Sequence, residues 1–352
     1  MSEQLQSDFD KIVKNSKFSN KEIKLKKDFL NKFIESGLPN RKQEDWKFLD
    51  ISQIIKKNIS DLSYFIDYSQ SNKIDPSTFV DGLEHNKIIF LNGRIEKIDF
   101  NHEDKSKIEI SDETKKDISF NYENSLIDLN CAFTDKVFKI LVKKDYSLKK
   151  PLIIYHSTND SIKSTNINLR LDFELGENSC LKLIDYFANN TTKNFINIFY
   201  NFNLEKDSIL KNYKIDKFRN DNLTYSFNNI EQGNNSVSET FILSTGSDYL
   251  KNEINCNLNG EYSSAFINGI FSLKENQQHE IRTIINHLVE NTKSYQLIKS
   301  VLGKLSKAAY QGKIFVNSKA QKTDGYQLSK AILMDETSEF NAKPELEIYA
   351  DD

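Results

Sequence analysis

The side chains with most scope for chemistry are three cysteines, Cys131, Cys180 and Cys256. Thiolates bind iron and zinc and can carry sulfur, but metal and redox motifs use closely spaced cysteines such as CxxC, and the sequence contains no such pair. Cys256 alternates with Ile254 and Leu258, a pattern that directs it toward a core, where a free cysteine behaves as a small apolar residue. The favoured expectation is a structural role for each, and a metal or persulfide role is the alternative.

Among the five histidines, His287 is the candidate functional residue. It closes the apolar part of TIINHLVENTKSYQ, and a polar residue in that place can mark the edge of a site, with a structural role as the alternative. His102 and His279 lie in charged or polar runs, and we expect both to be exposed. His156 alternates with Ile154 on a predicted strand, so we expect a hydrogen-bonded core residue there.

The glycine pattern excludes the common nucleotide cradles. None of the 11 glycines belongs to a GxGxxG or GxxxxGK[ST] motif, and neither an HExxH helix nor a glycine-flanked nucleophilic serine is present. Asp172 and Glu174 share one face of a predicted strand, which leaves open a carbohydrate-active enzyme with an acid and base pair, although any solvated strand looks similar. We expect that the chain is neither an ATPase nor a dehydrogenase and that it is not itself an enzyme.

The charge balance points away from nucleic acid. The chain of 352 residues carries 48 basic and 51 acidic residues, a net charge of -3, which argues against an extended basic surface. No apolar run approaches the roughly 20 residues that cross a bilayer, and the first residues lack a secretory pattern. We expect a cytoplasmic protein without a nucleic-acid partner or a membrane span.

Residues 1–85 are predicted to form a small N-terminal helical domain. Apolar residues recur there at helical spacing, and Ser19 and Glu22 are spaced as a capping box. Gly37 supplies a stop signal, and the only tryptophan, Trp46, is expected to anchor the helical region. A polar stretch then separates this region from the rest of the chain.

Residues 86–352 show the period-2 alternation of β-strands. NINLRLDFEL is the clearest case, with apolar residues on one side and polar or charged residues on the other. Similar short strands follow one another without a helical segment. The absence of a halfway break, the few prolines and the many asparagines favour a β-solenoid with one shared core over packed sandwiches.

The last third of the chain contains three ordered motifs. Residues 312–316 read GKxxV, residues 320–327 read AQKTDxxQ, and residues 344–352 read PxLEIYADD. With these motifs the chain resembles the core of the SufB/SufD family of iron-sulfur cluster assembly proteins. Upstream, the T-x3-H, S-x-Q and following Lys pattern is matched by Thr283, His287, Ser294, Gln296 and Lys299, while Glu280 stands where an Asp is usual. Near the start, LPNRKQEDWKF looks like the entry segment of the SufD branch.

The resemblance implies a fold and a function. It implies a right-handed parallel β-helix between helical domains, acting as a non-catalytic scaffold that pairs through the β-helix with a SufB-like subunit or with itself. It also implies a SufC-like ATPase bound through the C-terminal domain, ATP used only by that partner, and an iron-sulfur cluster present transiently in the complex. A generic interaction solenoid is the remaining alternative.

The chain departs from the family where it stops. In the family the ADD segment continues with V-K-C-S-H-G and further helices, so the resemblance implies a core over 86–352 that is incomplete at its C-terminal end and a missing C-terminal helical domain. The family Cys and His would lie after Asp352, so no metal ligand is assigned in this chain, and no cofactor-binding residue is assigned either. The residues expected at an interface or site edge are His287, Glu345, Glu347, Tyr349, Asp351 and Asp352.

Overall fold

A computed structural model describes residues 2–68, 79–113, 123–187, 193–217 and 220–351. Two sheets of nine strands each make up about half of the described chain, and helices accompany them at the N-terminal end. The prediction of a mainly β fold with a small N-terminal helical region is confirmed.

Helices occupy the N-terminal part and one later segment. Their bounds are α1 (Ser2–Asn15), α2 (Asn20–Ser36), a 3-10 turn (Glu44–Trp46), α3 (Ile51–Ile54) continued by a π turn (Ile55–Ile59), and α4 (Ser125–Phe133). The predicted capping box is present, since the backbone N–H of Glu22 donates to Ser19 Oγ at 3.3 Å and the Ser19 N–H donates to the Glu22 carboxylate at 2.7 Å. Gly37 ends α2 with a φ of 69°, a conformation that favours glycine.

The strands follow one another with short turns between them. Their bounds are β1 (Asn86–Leu91), β2 (Arg94–Asp99), β3 (Ile108–Glu113), β4 (Val137–Val142), β5 (Leu152–Ser157), β6 (Asn166–Leu175), β7 (Cys180–Phe187), β8 (Phe195–Leu204), β9 (Ile209–Asp216), β10 (Asn220–Gln232), β11 (Val237–Ser244), β12 (Ser247–Leu258), β13 (Ser264–Leu273), β14 (Gln278–His287), β15 (Lys293–Leu302), β16 (Lys307–Val316), β17 (Asp324–Leu333) and β18 (Glu339–Ile348).

The two sheets wind into a solenoid. From β5 onward the odd strands pair in parallel in one sheet and the even strands in the other, so each coil gives one strand to each sheet. Antiparallel pairs, β1 with β2 and β3 with β4, close the end nearest the N-terminus. Register partners in successive coils, such as Ser226 with Asn252 and Lys251 with Glu280, are 26 and 29 residues apart.

A recurring turn leads from the even to the odd strands. Six of these turns end on a hydroxyl residue: Ser179, Ser208, Ser236, Ser263, Thr292 and Thr323. In the turns that end at Ser208, Ser236 and Ser263, the hydroxyl donates to the carbonyl three residues earlier at 2.6, 2.8 and 2.6 Å. The residue before the serine takes a positive φ, 58° at Asp207 and 56° at Asn235, which asparagine and aspartate tolerate well.

One apolar core runs through the interior of the coils. Inward side chains stack from coil to coil in register, as in the row Phe173, Phe202, Ile230, Cys256, Ile285 and Ile314. All are buried or nearly so, and most belong to a single cluster. The shared core predicted for a solenoid is therefore confirmed, and Cys256 lies inside it.

The outer face of the even sheet is covered in two ways. A second apolar cluster joins α2 and α4 to its early coils, with Leu30 and Phe33 among residues that include Phe199 and Tyr225. Farther along, asparagines in register form what we call the asparagine ladder: Asn201, Asn229 and Asn255. Their side-chain amides bond from coil to coil at 3.0 and 3.0 Å, so they satisfy one another on a sheet surface. In the next coil Asn286, in register with Asn257, donates to Asn257 Oδ1 at 2.7 Å.

The helical and β regions share contacts. Helix α4 comes after residue 85 yet packs with α2 in the same cluster, so the domain boundary between residues 85 and 86 stays a prediction. None of the helices in the described ranges combines the length and apolarity required to cross a lipid bilayer.

Candidate functional site

Polar side chains from the last coils meet inside the solenoid. They occupy inward positions of four strands because inward and outward residues alternate along each strand and the register aligns them across strands. The residues are Thr283 and His287 on β14, Ser294 and Gln296 on β15, Tyr310 on β16 and Gln327 on β17. Five of these six lie in the family motifs noted in the sequence, and Tyr310 adds to them.

Hydrogen bonds link four of these residues to the terminal coil. Thr283 Oγ1 donates to Gln296 Oε1 at 2.5 Å, and the Tyr310 hydroxyl donates to the same oxygen at 3.1 Å. The Tyr310 hydroxyl also lies 3.4 Å from Gln327 Oε1. Gln327 Nε2 in turn donates to the backbone carbonyl of Glu345 at 3.4 Å, so the network runs from the interior to β18.

Gly312 leaves the room that this network occupies. A Cβ on Gly312 would lie 2.3 Å from the Tyr310 hydroxyl and 2.4 Å from Gln327 Oε1, far inside van der Waals contact. Because both side chains are held by the network, a larger residue at 312 would displace them. The packing of Tyr310 and Gln327 therefore explains why a glycine occupies this position of the GKxxV motif.

His287 is fully buried beside this network. Its Nδ1 lies 2.7 Å from Thr292 Oγ1 and its Nε2 lies 2.9 Å from Ser294 Oγ, so both ring nitrogens have hydroxyl partners. Burial lowers the pKa of His287 to about 4, which keeps the ring neutral near pH 7. The role of His287 as a site edge stays a prediction; its position is one coil from the terminal strands, with Nε2 3.7 Å from the place of a Cβ on Gly325.

The last two strands form an exposed surface that we call the terminal coil, β17 and β18. Each pairs with a neighbour on one side only within the described chain. Large apolar side chains are exposed there, namely Tyr326, Ile332, Leu333, Met334, Leu346, Ile348 and Tyr349. Leu346 and Ile348 continue inward rows of the core, in register with Ile314 and Val316, yet are 60% and 54% exposed because no described coil covers them.

The predicted interface residues lie on or next to the terminal coil. Glu347 forms an ion pair with Lys313 at 2.9 Å, and Glu345 forms one with Lys343 at 2.5 Å. Tyr349 is exposed, with its ring centroid 5.6 Å from that of Phe315. Asp351 is exposed, and Asp352 lies outside the described residues. Their role at an interface stays a prediction.

A second polar cluster lies deeper, around Asp185. Its carboxylate contacts His156 Nε2 at 2.6 Å, Lys214 Nζ at 2.7 Å and the Tyr200 hydroxyl at 2.5 Å. All four side chains are buried, and the Lys214 ammonium also lies 3.7 Å from the centre of the Tyr200 ring. His156 is thus a hydrogen-bonded core residue, as predicted.

Charge pairing sets the ionisation of this cluster. Burial alone would raise the pKa of Asp185, but Lys214 and His156 hold that pKa well below its usual range. Burial lowers the pKa of Lys214, and Asp185 offsets part of the effect. The sequence contained a signal for this buried cluster. Asp185 follows Leu181 and Leu183 at an inward position of β7, where an apolar residue is expected.

The prediction that His279 is exposed was wrong. His279 is 2% exposed, with Nδ1 2.7 Å from Ser244 Oγ and Nε2 2.5 Å from the Ser247 carbonyl. It begins the inward series of β14 that continues with Ile281. Its polar sequence neighbours belong to the turn and to the outer face, and they concealed this position.

Trp46 and the residue before it fasten the helical region to the even sheet. The Trp46 ring lies 5.4 Å from the ring of Tyr225 and 4.0 Å from the ammonium of Lys251, which confirms its role as an anchor. Buried Lys251 bonds the backbone carbonyl of Asp45 and pairs with Glu280 at 2.8 Å. Glu280, the residue that departs from the family pattern, thus serves in this attachment.

Cys131 and Cys256 are buried, Cys180 is partly buried, and the predicted acid and base pair is engaged in ion pairs. Burial raises the pKa of both Cys131 and Cys256 to about 12, which keeps these thiols protonated near pH 7. Among the described residues no three His, Cys, Asp or Glu side chains come together as a metal site. Asp172 pairs with Arg170 at 3.2 Å and Glu174 with Lys139 at 2.6 Å, so a carbohydrate-active site is not favoured.

The fold and the site together define a β-solenoid protein with buried polar networks and an apolar terminal coil. The chain belongs to the SufBD core family: residues 156–352 match the family model described as SUF system FeS cluster assembly, SufBD core domain. A relative, the iron-sulfur cluster assembly protein SufD of Escherichia coli (strain K12), is 26% identical over 333 residues, covering 92% of this chain and 76% of the relative. The chain is therefore a SufD-like member of an iron-sulfur cluster assembly family, as the motifs predicted.

Proposed function

We propose that the protein is a non-catalytic scaffold subunit of a SUF-type complex that assembles iron-sulfur clusters in the cytoplasm. In this proposal it pairs with a SufB-like subunit, or with a second copy of itself, through the terminal coil. A SufC-like ATPase uses ATP, and the cluster is cargo of the complex. The single observation that carries the proposal is the match of residues 156–352 to the SufBD core family model.

The backbone of the terminal coil supports pairing with another polypeptide. Strands with a neighbour on one side present unpaired N–H and C=O groups, which add readily to a strand of a partner. The exposed side chains Leu346 and Ile348 extend the internal core rows, so a partner coil could continue the same packing. Both features favour a solenoid of the same kind as the partner.

The state of the thiols supports a scaffold rather than a cluster ligand. Protonated, buried Cys131 and Cys256 would have to be uncovered and deprotonated before they could bind iron. We propose that the ligands of the cargo cluster come from elsewhere in the complex.

We also propose that residues 1–85 act as a helical domain and residues 86–352 as the β-helix core.

Co-expression tests this function. The tagged protein is expected to copurify with a SufB-like and a SufC-like protein, and Leu346→Glu with Ile348→Glu is expected to abolish recovery of the SufB-like subunit. Tyr262→Glu is the matched control, because Tyr262 is 60% exposed but lies in the turn between β12 and β13. Failure of the wild type to copurify with either partner, or equal recovery with both variants, would contradict the proposal.

A further inference from the structure

The outer face of the odd sheet is apolar and partly exposed across its last four strands, β11, β13, β15 and β17. Outward positions there hold Phe241, Leu243, Phe266, Ile270, Leu297 and Leu328. Tyr295 and Tyr326 stack on this face at 4.9 Å and are 38% and 44% exposed. An apolar sheet face is normally covered by another element, and a large exposed patch marks a place of contact with a partner.

Two lysines stand side by side in this apolar surface. Lys299 on β15 and Lys330 on β17 are register partners, and both are exposed. The outward residues next to them on their own strands are Leu297, Val301, Leu328 and Ile332, and Ile270 lies opposite Lys299 on β13. None of these described neighbours carries a carboxylate, so the two like charges face each other without neutralisation.

The other charged partners on this face are of opposite sign. Lys293 is in register with Asp324, and Lys211 pairs with Glu239 at 3.0 Å. Like charges directly opposite each other on neighbouring strands are destabilising, whereas opposite charges stabilise. The Lys299 and Lys330 pair therefore has an unfavourable interaction in the free protein that an acidic partner would reverse.

We propose that this surface, the lysine face formed by the outward residues of β11, β13, β15 and β17, binds an amphipathic helix of another polypeptide that carries carboxylates among large apolar side chains. A helix is the element that covers the face, rather than the edge, of a sheet. Carboxylates one helical turn apart are separated by about 5–6 Å, close to the strand spacing of about 4.8 Å that separates the lysines. The lysine face shares β17 with the terminal coil, but it uses outward side chains of that strand. The pairing proposed above uses the free strand edges and the inward residues Leu346 and Ile348, so this contact does not depend on it.

Peptide binding tests this proposal. The probes are two fluorescent helical peptides of about 18 residues, five turns, with leucine and glutamate on one face in the first and leucine and lysine in the second. The acidic peptide is expected to bind at least about tenfold more tightly than the basic one, as for other complementary charged surfaces. Lys299→Glu with Lys330→Glu is expected to weaken the acidic peptide by about tenfold or more, and the charge-neutral Lys299→Gln with Lys330→Gln by less.

A matched control isolates the location of the charge. Lys274→Glu with Lys304→Glu changes the net charge equally, but at exposed turn positions, and is expected to keep wild-type affinity. Thermal unfolding of each variant separates loss of binding from loss of folding. The proposal would be overturned if the acidic peptide did not bind, or if both peptides bound with equal affinity. It would also be overturned if Lys299→Glu with Lys330→Glu kept wild-type affinity for the acidic peptide, or if the protein bound phosphatidylglycerol vesicles in place of the peptide.

Discussion

Replacing Asp185 with asparagine would leave the ammonium of Lys214 inside the solenoid without its counter-ion. In the folded protein Asp185 is 0% exposed and Lys214 is 3% exposed, and their charged atoms are 2.7 Å apart. Removing one partner of a buried pair costs about 3–5 kcal/mol, because an uncompensated buried charge remains. We expect Asp185→Asn to lower the free energy of unfolding of the coils around β7 and β9 by about that amount.

The pH dependence of this loss follows from the direction of the pKa shift. The folded-state pKa of Asp185 lies below its ordinary value of about 3.9. The stabilisation is therefore fully present above about pH 4 and is lost as the pH falls through the folded-state pKa. The difference in free energy of unfolding between the wild type and Asp185→Asn should be largest near neutral pH and should become smaller in acid.

Urea unfolding, combined with hydrogen exchange because solenoids can open coil by coil, measures the effect. Asp207→Asn is the matched control, since Asp207 is 40% exposed with its ion pair at 3.7 Å, and it should cost less than about 1 kcal/mol. Asp185→Leu with Lys214→Met should recover much of the loss, because apolar residues of similar volume can replace a buried ion pair. A loss below about 1 kcal/mol for Asp185→Asn, or no recovery in the double variant, would refute the reasoning.

Three further predictions concern other buried groups. Gly312→Ala should destabilise by about 1–3 kcal/mol through overpacking against Tyr310, and an unchanged melting temperature would contradict this. As the pH falls from about 6.5 to 4, the unfolded state binds a proton at His287 that the folded state, with a pKa of about 4, does not, so the wild type should lose up to about 3 kcal/mol of stability. His287→Asn should lack this loss, so its urea midpoint should vary less with pH than that of the wild type, and parallel profiles would contradict the prediction. Trp46→Ala should cost about 3–5 kcal/mol and speed amide exchange in Ile51–Ile54, which should stay slow if Trp46 is not an anchor.

The sequence contained enough information to predict the architecture. The alternation around Leu169, Leu171 and Phe173 identifies a strand, and its repetition with short turns leads to a solenoid because each coil must cover its neighbour. The capping box at Ser19 was predicted from local spacing alone. Features that depend on contacts within a few residues, or on strand periodicity, can therefore be read directly.

The polar interior could not be predicted in the same way. Asp185 and Lys214 meet because they are register partners in successive coils, 29 residues apart, and register is set by the whole stack. His279 was misplaced because turn and outer-face neighbours made its surroundings look solvated. The turn repeat that ends on residues such as Ser208 and Ser236 becomes visible only after the coils are aligned, since its other positions vary.

Within the candidate site, motif residues could be identified but not their contacts. Gln296 and Gln327 were known from the family pattern, while their link through Tyr310 required the register of β15, β16 and β17. The exposure of Leu346 likewise depends on the place of β18 in the stack and not on its own sequence.

Hydrogen exchange of the terminal coil in the presence and absence of a SufB-like subunit tests the central claim most directly. Within β18, Glu339–Ile348, the backbone groups on the side away from β16 have no described strand partner. If the terminal coil is the scaffold interface, the amides of Glu339–Ile348 that point away from β16 should exchange at least about tenfold more slowly in the complex, because strand pairing protects them. A complex that forms while exchange in this strand stays unchanged would contradict the account, as would failure of the two proteins to associate.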